Sequence, residues 1–207
     1  TTIKYDAIGN PLNWNGVSNL AWSNGRRLTA LRKGITTASY AYDETGFRTK
    51  KQVDMKTSLY DRDASGNLVH ETRNNGADHL YYYYDANGSI GSISHNGVRY
   101  AFLKNLQGDV IAILDTSGNV VARYTYDAWG KVLSVTDTNG NANTSSTFIG
   151  NVNPIRYRGY YYDAETGWYY LNSRYYDPEI KRFINADGII GANGVFTGYN
   201  LFAYCNN

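Results

Sequence analysis

The sequence predicts an all-β chain in which tandem β-hairpins join into one continuous, spiralling antiparallel sheet. Three observations predict it. First, one short phrase recurs about every twenty residues: an aromatic-rich strand, an acidic or polar residue, then a glycine turn. It is clearest at Tyr5-Asp6-Ala7-Ile8-Gly9, Tyr42-Asp43-Glu44-Thr45-Gly46, Tyr84-Asp85-Ala86-Asn87-Gly88 and Tyr126-Asp127-Ala128-Trp129-Gly130, with turn glycines at 9, 25, 46, 66, 88, 108 and 130. A fixed period of this size marks a repeat architecture. Second, 21 Tyr and 21 Gly stand against 3 Pro and one Met. Tyrosine suits a pleated, half-buried surface and glycine supplies turns. Third, residues 79–84 and 119–126 alternate as strands with one covered face do.

Residues 1–135 hold the repeats, each giving two strands of about five to eight residues around a glycine turn. Asn-Gly pairs at 24–25, 75–76, 87–88 and 96–97 are hairpin signals. Residues 136–154 lack periodicity and read as a flexible loop or insertion. Residues 155–207 form a dense aromatic block in which Pro178, having no N–H, belongs at a strand end or edge.

A net charge of +2 on 207 residues argues against a nucleic-acid or anionic-membrane partner. The pairs Arg26-Arg27 and Lys50-Lys51 read as solvated strand edges. With a single cysteine, Cys205, the chain has no internal disulfide. No apolar run approaches the ~20 residues of a membrane helix. The opening residues show no signal-peptide pattern and begin mid-repeat, which reads as a piece of a longer protein. His70, His79 and His95 are not at metal-ligand spacing and are expected at strand or turn surfaces. Asp6, Asp43, Asp85, Asp127 and Asp163 read as caps of glycine turns rather than calcium ligands, since each turn offers about one carboxylate. No cofactor and no metal are expected.

The Tyr-Asp repeats resemble the YD repeats of the RHS family, which includes bacterial polymorphic toxins, C components of insecticidal toxin complexes and the teneurins. The last block resembles the RHS repeat-associated core motif, matching at Arg156, Tyr157, Gly159, Asp163, Thr166, Gly167, Tyr169 or Tyr170, Arg174, Tyr176, Asp177, Pro178, Arg182, Phe183 and Asp187. Lys181 stands where the family has glycine, and Gly188 where it has proline. The resemblance implies a partial RHS shell or barrel with a core domain over 155–207. In the larger family such a shell encapsulates a C-terminal toxin or effector, and the core motif seals one end.

The resemblance also implies aspartyl-type self-cleavage. Asp187 matches the first Asp of the family's pair and Arg182 is its orienting cation; the second Asp and the scissile bond lie past Asn207. With the motif incomplete, the expectation is a structural scaffold and not an enzyme. The implied partners are upstream RHS repeats and a C-terminal toxin, in a secreted or cell-surface bacterial protein. Bare sheet edges predict self-association. Two alternatives remain open at this point: a remnant of the self-cleaving module, and a glycan-binding module whose exposed aromatics meet cell-surface sugars.

Overall fold

A computed structural model describes residues 2–186, 202 and 204. Twelve strands follow one another as an antiparallel meander, each beside its neighbour in sequence. They are β1 (Val17–Ser23), β2 (Arg27–Lys33), β3 (Thr36–Tyr42), β4 (Arg48–Val53), β5 (Lys56–Arg62), β6 (Leu68–Arg73), β7 (Asp78–Tyr84), β8 (Ile90–His95), β9 (Val98–Lys104), β10 (Val110–Leu114), β11 (Val120–Tyr126) and β12 (Val132–Thr136). A second sheet holds β13 (Tyr161–Asp163), β14 (Trp168–Tyr170), β15 (Tyr175–Asp177) and β16 (Arg182–Phe183). The one α-helix among the described residues, α1, is a single turn at Ile149–Val152. The all-β expectation is met.

Between β3 and β9 the period of about twenty residues is two strands and two turns of different chemistry. After β9 each turn is of one kind, capped by Asn105, Asp115, Asp127 and Asp137 in succession. That kind is Asp-x-x-Gly-x. In residues 85–89, the Asp85 N–H donates to the Ser89 carbonyl (2.8 Å) and the Gly88 N–H to the Asp85 carbonyl (3.0 Å). Asp85 Oδ1 accepts the Asn87 and Ser89 N–H groups at 2.9 and 3.0 Å. The same carboxylate bonds recur at Asp6, Asp63, Asp115, Asp127 and Asp137, with Asn105 as a neutral substitute. These donors hold the Asp85 and Asp115 carboxyls below the ordinary carboxylate range. Asp6, Asp43, Asp85 and Asp127 are thus turn caps, as the sequence suggested; Asp163 is not, because its carboxylate is buried and bound by Arg48 and Lys51 instead.

Hairpins closed by these turns slip register by one residue beside the turn, at Tyr42↔Arg48, Arg62↔Leu68, Tyr84↔Ile90 and Tyr126↔Val132. Such bulges increase local twist. The intervening turns are short and their ladders keep register, as where His95 faces Val98 across Asn96-Gly97. There φ is 48° at Asn96 and 87° at Gly97, the signature of a type I′ turn.

Strand alternation places the first tyrosine of each Tyr-x-Tyr-Asp phrase inward. Tyr40, Tyr82 and Tyr124 are buried, as is Tyr60, while Leu59, Tyr81 and Tyr83 face outward. The second tyrosine ties hairpins together: the Tyr42, Tyr84 and Tyr126 hydroxyls donate to the carbonyls of Leu28 (2.8 Å), Leu68 (3.1 Å) and Val110 (2.8 Å).

The chain divides into two compact units, Thr1–Met55 with Asp163–Asn207, and Lys56–Tyr162. In the second unit, residues 137–154 carry structure that aperiodicity concealed. Asp137 to Asn141 is another capped turn, Thr136 bridges Ala142, and α1 buries Ile149, Gly150 and Val152. A Cβ on Gly150 would lie 2.8 Å from a Val135 methyl and 3.1 Å from the Ala122 Cβ, so the helical turn packs closely on the sheet.

Candidate functional site

The aromatic core block meets the repeats through two buried polar clusters, one in each unit. In the first unit, Asp163 is fully buried at the end of β13 and is held by charge on β4. Arg48 Nη1 donates to Asp163 Oδ2 at 2.7 Å and Nη2 to Oδ1 at 3.0 Å, while Lys51 Nζ reaches Oδ1 at 2.8 Å. Lys51 also lies 3.3 Å from Glu165 Oε2, and the Tyr40 hydroxyl donates to Glu165 Oε1 at 3.3 Å. Two cations thus face two carboxylates. Burial pushes the Asp163 carboxyl up, but the Arg48 and Lys51 charges outweigh it and hold it below its ordinary value.

Arg48 adds further contacts from one position. Its backbone N–H donates to the Tyr170 hydroxyl (3.0 Å), its guanidinium lies 4.3 Å from the centre of the Tyr170 ring, and Nη1 is 3.4 Å from the Tyr175 hydroxyl. The Tyr42 hydroxyl gives its proton to Leu28, so Tyr175 donates to it across 2.9 Å. Burial raises the phenols of Tyr40, Tyr42 and Tyr175, keeping them protonated donors. Lys51 is therefore buried, not on a solvated edge as the pair Lys50-Lys51 suggested: its position in β4 points to the covered face, where Asp163 and Glu165 supply counter-charge. Arg27 likewise binds the carbonyls of Asp43 and Glu44, both at 2.9 Å. Arg26 binds that of Ala186 at 3.3 Å.

In the second unit the centre is Glu71, fully buried on β6. Its Oε2 accepts the Tyr82 hydroxyl at 2.7 Å and its Oε1 the Tyr161 hydroxyl at 2.9 Å; Tyr60 completes the chain at 3.2 Å from the Tyr161 oxygen. Elsewhere in the same unit, Tyr124 donates to the Gly150 carbonyl at 2.7 Å, and burial pushes its phenol up to about 12. Arg156 Nη2 lies 3.3 Å from the Gly150 carbonyl, with its guanidinium 4.4 Å from the Tyr162 ring centre.

Most matched core-motif residues have structural roles. The Thr166 hydroxyl closes the turn on the Asp163 carbonyl at 3.1 Å, and Arg174 lies 3.6 Å from the Phe183 ring centre. Asp177 accepts the Trp14 indole N–H at 2.8 Å and the Glu179 N–H at 2.8 Å. Pro178 follows the last residue of β15, at the strand end expected of it. Lys181 has φ of 64°, a left-handed conformation that accounts for glycine at this place in related motifs. Arg182 sits on β16 opposite Asp177, its guanidinium 5.6 Å from the Phe202 ring. Asp187, its expected partner, lies outside the described residues, as does Cys205.

The sequence reading missed Arg48, Lys51, Glu71 and Glu165. Simple alternation carried no signal for Glu71: it stands three residues from the buried Leu68, out of phase on a regular strand, and only the register shift between His70 and Leu68 brings both inward. Among the described residues no group of three or more His, Cys, Asp or Glu is arranged to hold a metal ion. No helix of the described residues is long and apolar enough to cross a membrane.

Comparison with known proteins agrees with this geometry. The family model described as Teneurin YD-shell matches residues 1–201. This chain belongs to the YD-shell family. The tRNA3(Ser)-specific nuclease WapA of Bacillus spizizenii is 37% identical across 100% of this YD-shell segment, which spans 9% of that protein. The double-stranded DNA deaminase toxin A of Burkholderia cenocepacia is 28% identical over 84% of the chain and 13% of that protein. The crystal structure of TcdB2-TccC3-Cdc42 superposes with a TM-score of 0.75 at 23% identity, over 98% of this chain and 10% of that one. That likeness establishes the fold. The YD-shell is a structural scaffold domain, and the segment spans about a tenth of these relatives.

Proposed function

We propose that this YD-shell segment is the C-terminal wall and end-plug of an RHS shell that encapsulates and delivers a C-terminal toxin or effector. The observation that carries the reading is the pair of buried polar clusters. In each unit they fasten core-block residues (Asp163, Glu165 and Tyr175; Tyr161 and Arg156) to residues of the repeats (Arg48, Tyr40 and Tyr42; Glu71 and Tyr124). A segment tied down this way resists being pushed off its sheet by whatever lies against it. The twelve strands, at roughly 4.8 Å each, make a strip of only about 58 Å, or a ring about 18 Å across. A toxin of ~100–150 residues, with a radius of gyration of about 13–15 Å, needs more wall than that. Upstream repeats therefore belong to the functional shell. The protein containing it acts outside the producing cell, as the toxin relatives suggest.

The test is protease accessibility in the full-length parent protein. The C-terminal effector should resist cleavage in the intact parent and be degraded at least tenfold faster as an isolated domain. Equal rates would end the encapsulation reading.

A further inference from the structure

On the outward face of the second unit, two histidines nine residues apart in sequence meet across a strand boundary. His70 on β6 faces Tyr81, and His79 on β7 faces Thr72, so both imidazoles stand on the same side of the sheet. His70 Nε2 lies 3.1 Å from His79 Nδ1. His70 Nδ1 lies 2.8 Å from Asp61 Oδ2 on β5. The Tyr81 ring stacks on His70 with centres 4.4 Å apart.

We propose that His70 and His79 form a two-imidazole site for a divalent transition-metal ion, with Cu(II) bound in preference to Zn(II). An ion bound to two imidazole nitrogens at about 2.0–2.1 Å, with an angle between square-planar and tetrahedral, needs those nitrogens about 2.8–3.4 Å apart. The observed separation falls in that range. Asp61 supplies the outer-shell carboxylate that metal-bound histidines use. By accepting a hydrogen bond from the Nδ1–H group it fixes the His70 tautomer that leaves the Nε2 lone pair available. The Tyr81 ring restrains the His70 plane.

In the metal-free state the rings lie nearly parallel, 6° apart with centres at 5.3 Å, and meet nitrogen to nitrogen through a shared proton. Metal entry takes the place of that proton. His79 shifts its N–H from Nδ1 to Nε2 through solvent, its ring turns so that its lone pair converges with that of His70, which Asp61 and Tyr81 hold in place, and water fills the remaining positions. No net proton is released when both rings start neutral. Zinc binds more weakly than copper by the general order of divalent ions.

The experiment titrates Cu(II) into the protein while following the ring-proton NMR signals of the three histidines, with equilibrium dialysis for affinity. At one equivalent, the His70 and His79 signals should broaden while His95, paired with Asp78, stays sharp. His79→Asn should weaken binding at least about tenfold, and Asp61→Asn by about 10–100-fold. Asp61 has a side chain 64% exposed, so its variant serves if His79→Asn fails to fold. Equal broadening of all three histidines, or Cu(II) affinity unchanged in Asp61→Asn, would overturn the assignment.

Discussion

Replacing Asp163 by Asn removes one negative charge from a site where Arg48 is 1% exposed and has nowhere to rehydrate. Shape is kept, so the change reads electrostatics rather than packing. Breaking one partner of a buried, hydrogen-bonded ion pair costs about 3–5 kcal/mol, mostly from the charge left behind. For a chain of this length, about 2–4 °C per kcal/mol converts that to a fall in Tm of about 6–20 °C. Circular dichroism during thermal and urea unfolding reads it directly. A cycle with Arg48→Met sharpens the test: the double variant should be more stable than the sum of single losses predicts, by about 1–3 kcal/mol. The same carboxylate sets an acid limit. Its folded pKa is depressed, so its contribution is fully present above the unfolded value near 3.9 and fades as pH falls through the lower folded value. Asp163→Asn should therefore flatten the loss of stability below about pH 4. A loss under ~1 kcal/mol, or strict additivity in the cycle, would refute the claim that this ion pair fastens the core block.

Other outcomes follow from single contacts. Gly130→Ala would place a Cβ 2.4 Å from the Tyr157 ring at φ of 88°, whereas Gly118→Ala, at φ of 82°, meets nothing within 4 Å. Both incur the left-handed penalty of about 1–2 kcal/mol, and Gly130→Ala should cost at least ~1 kcal/mol more in urea unfolding. Glu71→Gln must turn an amide NH2 toward one of two phenol donors, and should cost about 1–3 kcal/mol by the same assay. Tyr126→Phe leaves the Val110 carbonyl without its 2.8 Å donor and should cost about 1 kcal/mol. Lys181→Gly relieves a left-handed lysine and should raise stability by up to about 1 kcal/mol.

The meander was readable because its information is local. Tyr-x-Tyr-Asp alternates faces, and the aspartate caps its own turn within four residues, as Asp85 does with Ser89. Residues 137–141 use the same chemistry but follow a strand without a tyrosine pair, so the phrase went unnoticed there. The clusters were hidden for a different reason. Arg48 and Asp163 lie 115 residues apart, and nothing in either neighbourhood specifies the other. Lys50-Lys51 looks like a solvated pair in sequence, yet strand alternation sends the two side chains to opposite faces, leaving Lys50 exposed and Lys51 buried. The contact between His70 and His79 was not legible because cross-strand neighbours depend on register rather than on sequence spacing.

The most direct test of the account is a cryo-electron microscopy map of the full-length parent protein. This segment should lie in the shell wall, with the face that carries Tyr40, Tyr82 and Tyr124 on the lumen side and effector density enclosed beyond it. Effector density outside the wall, with the tyrosine face turned to solvent, would contradict it.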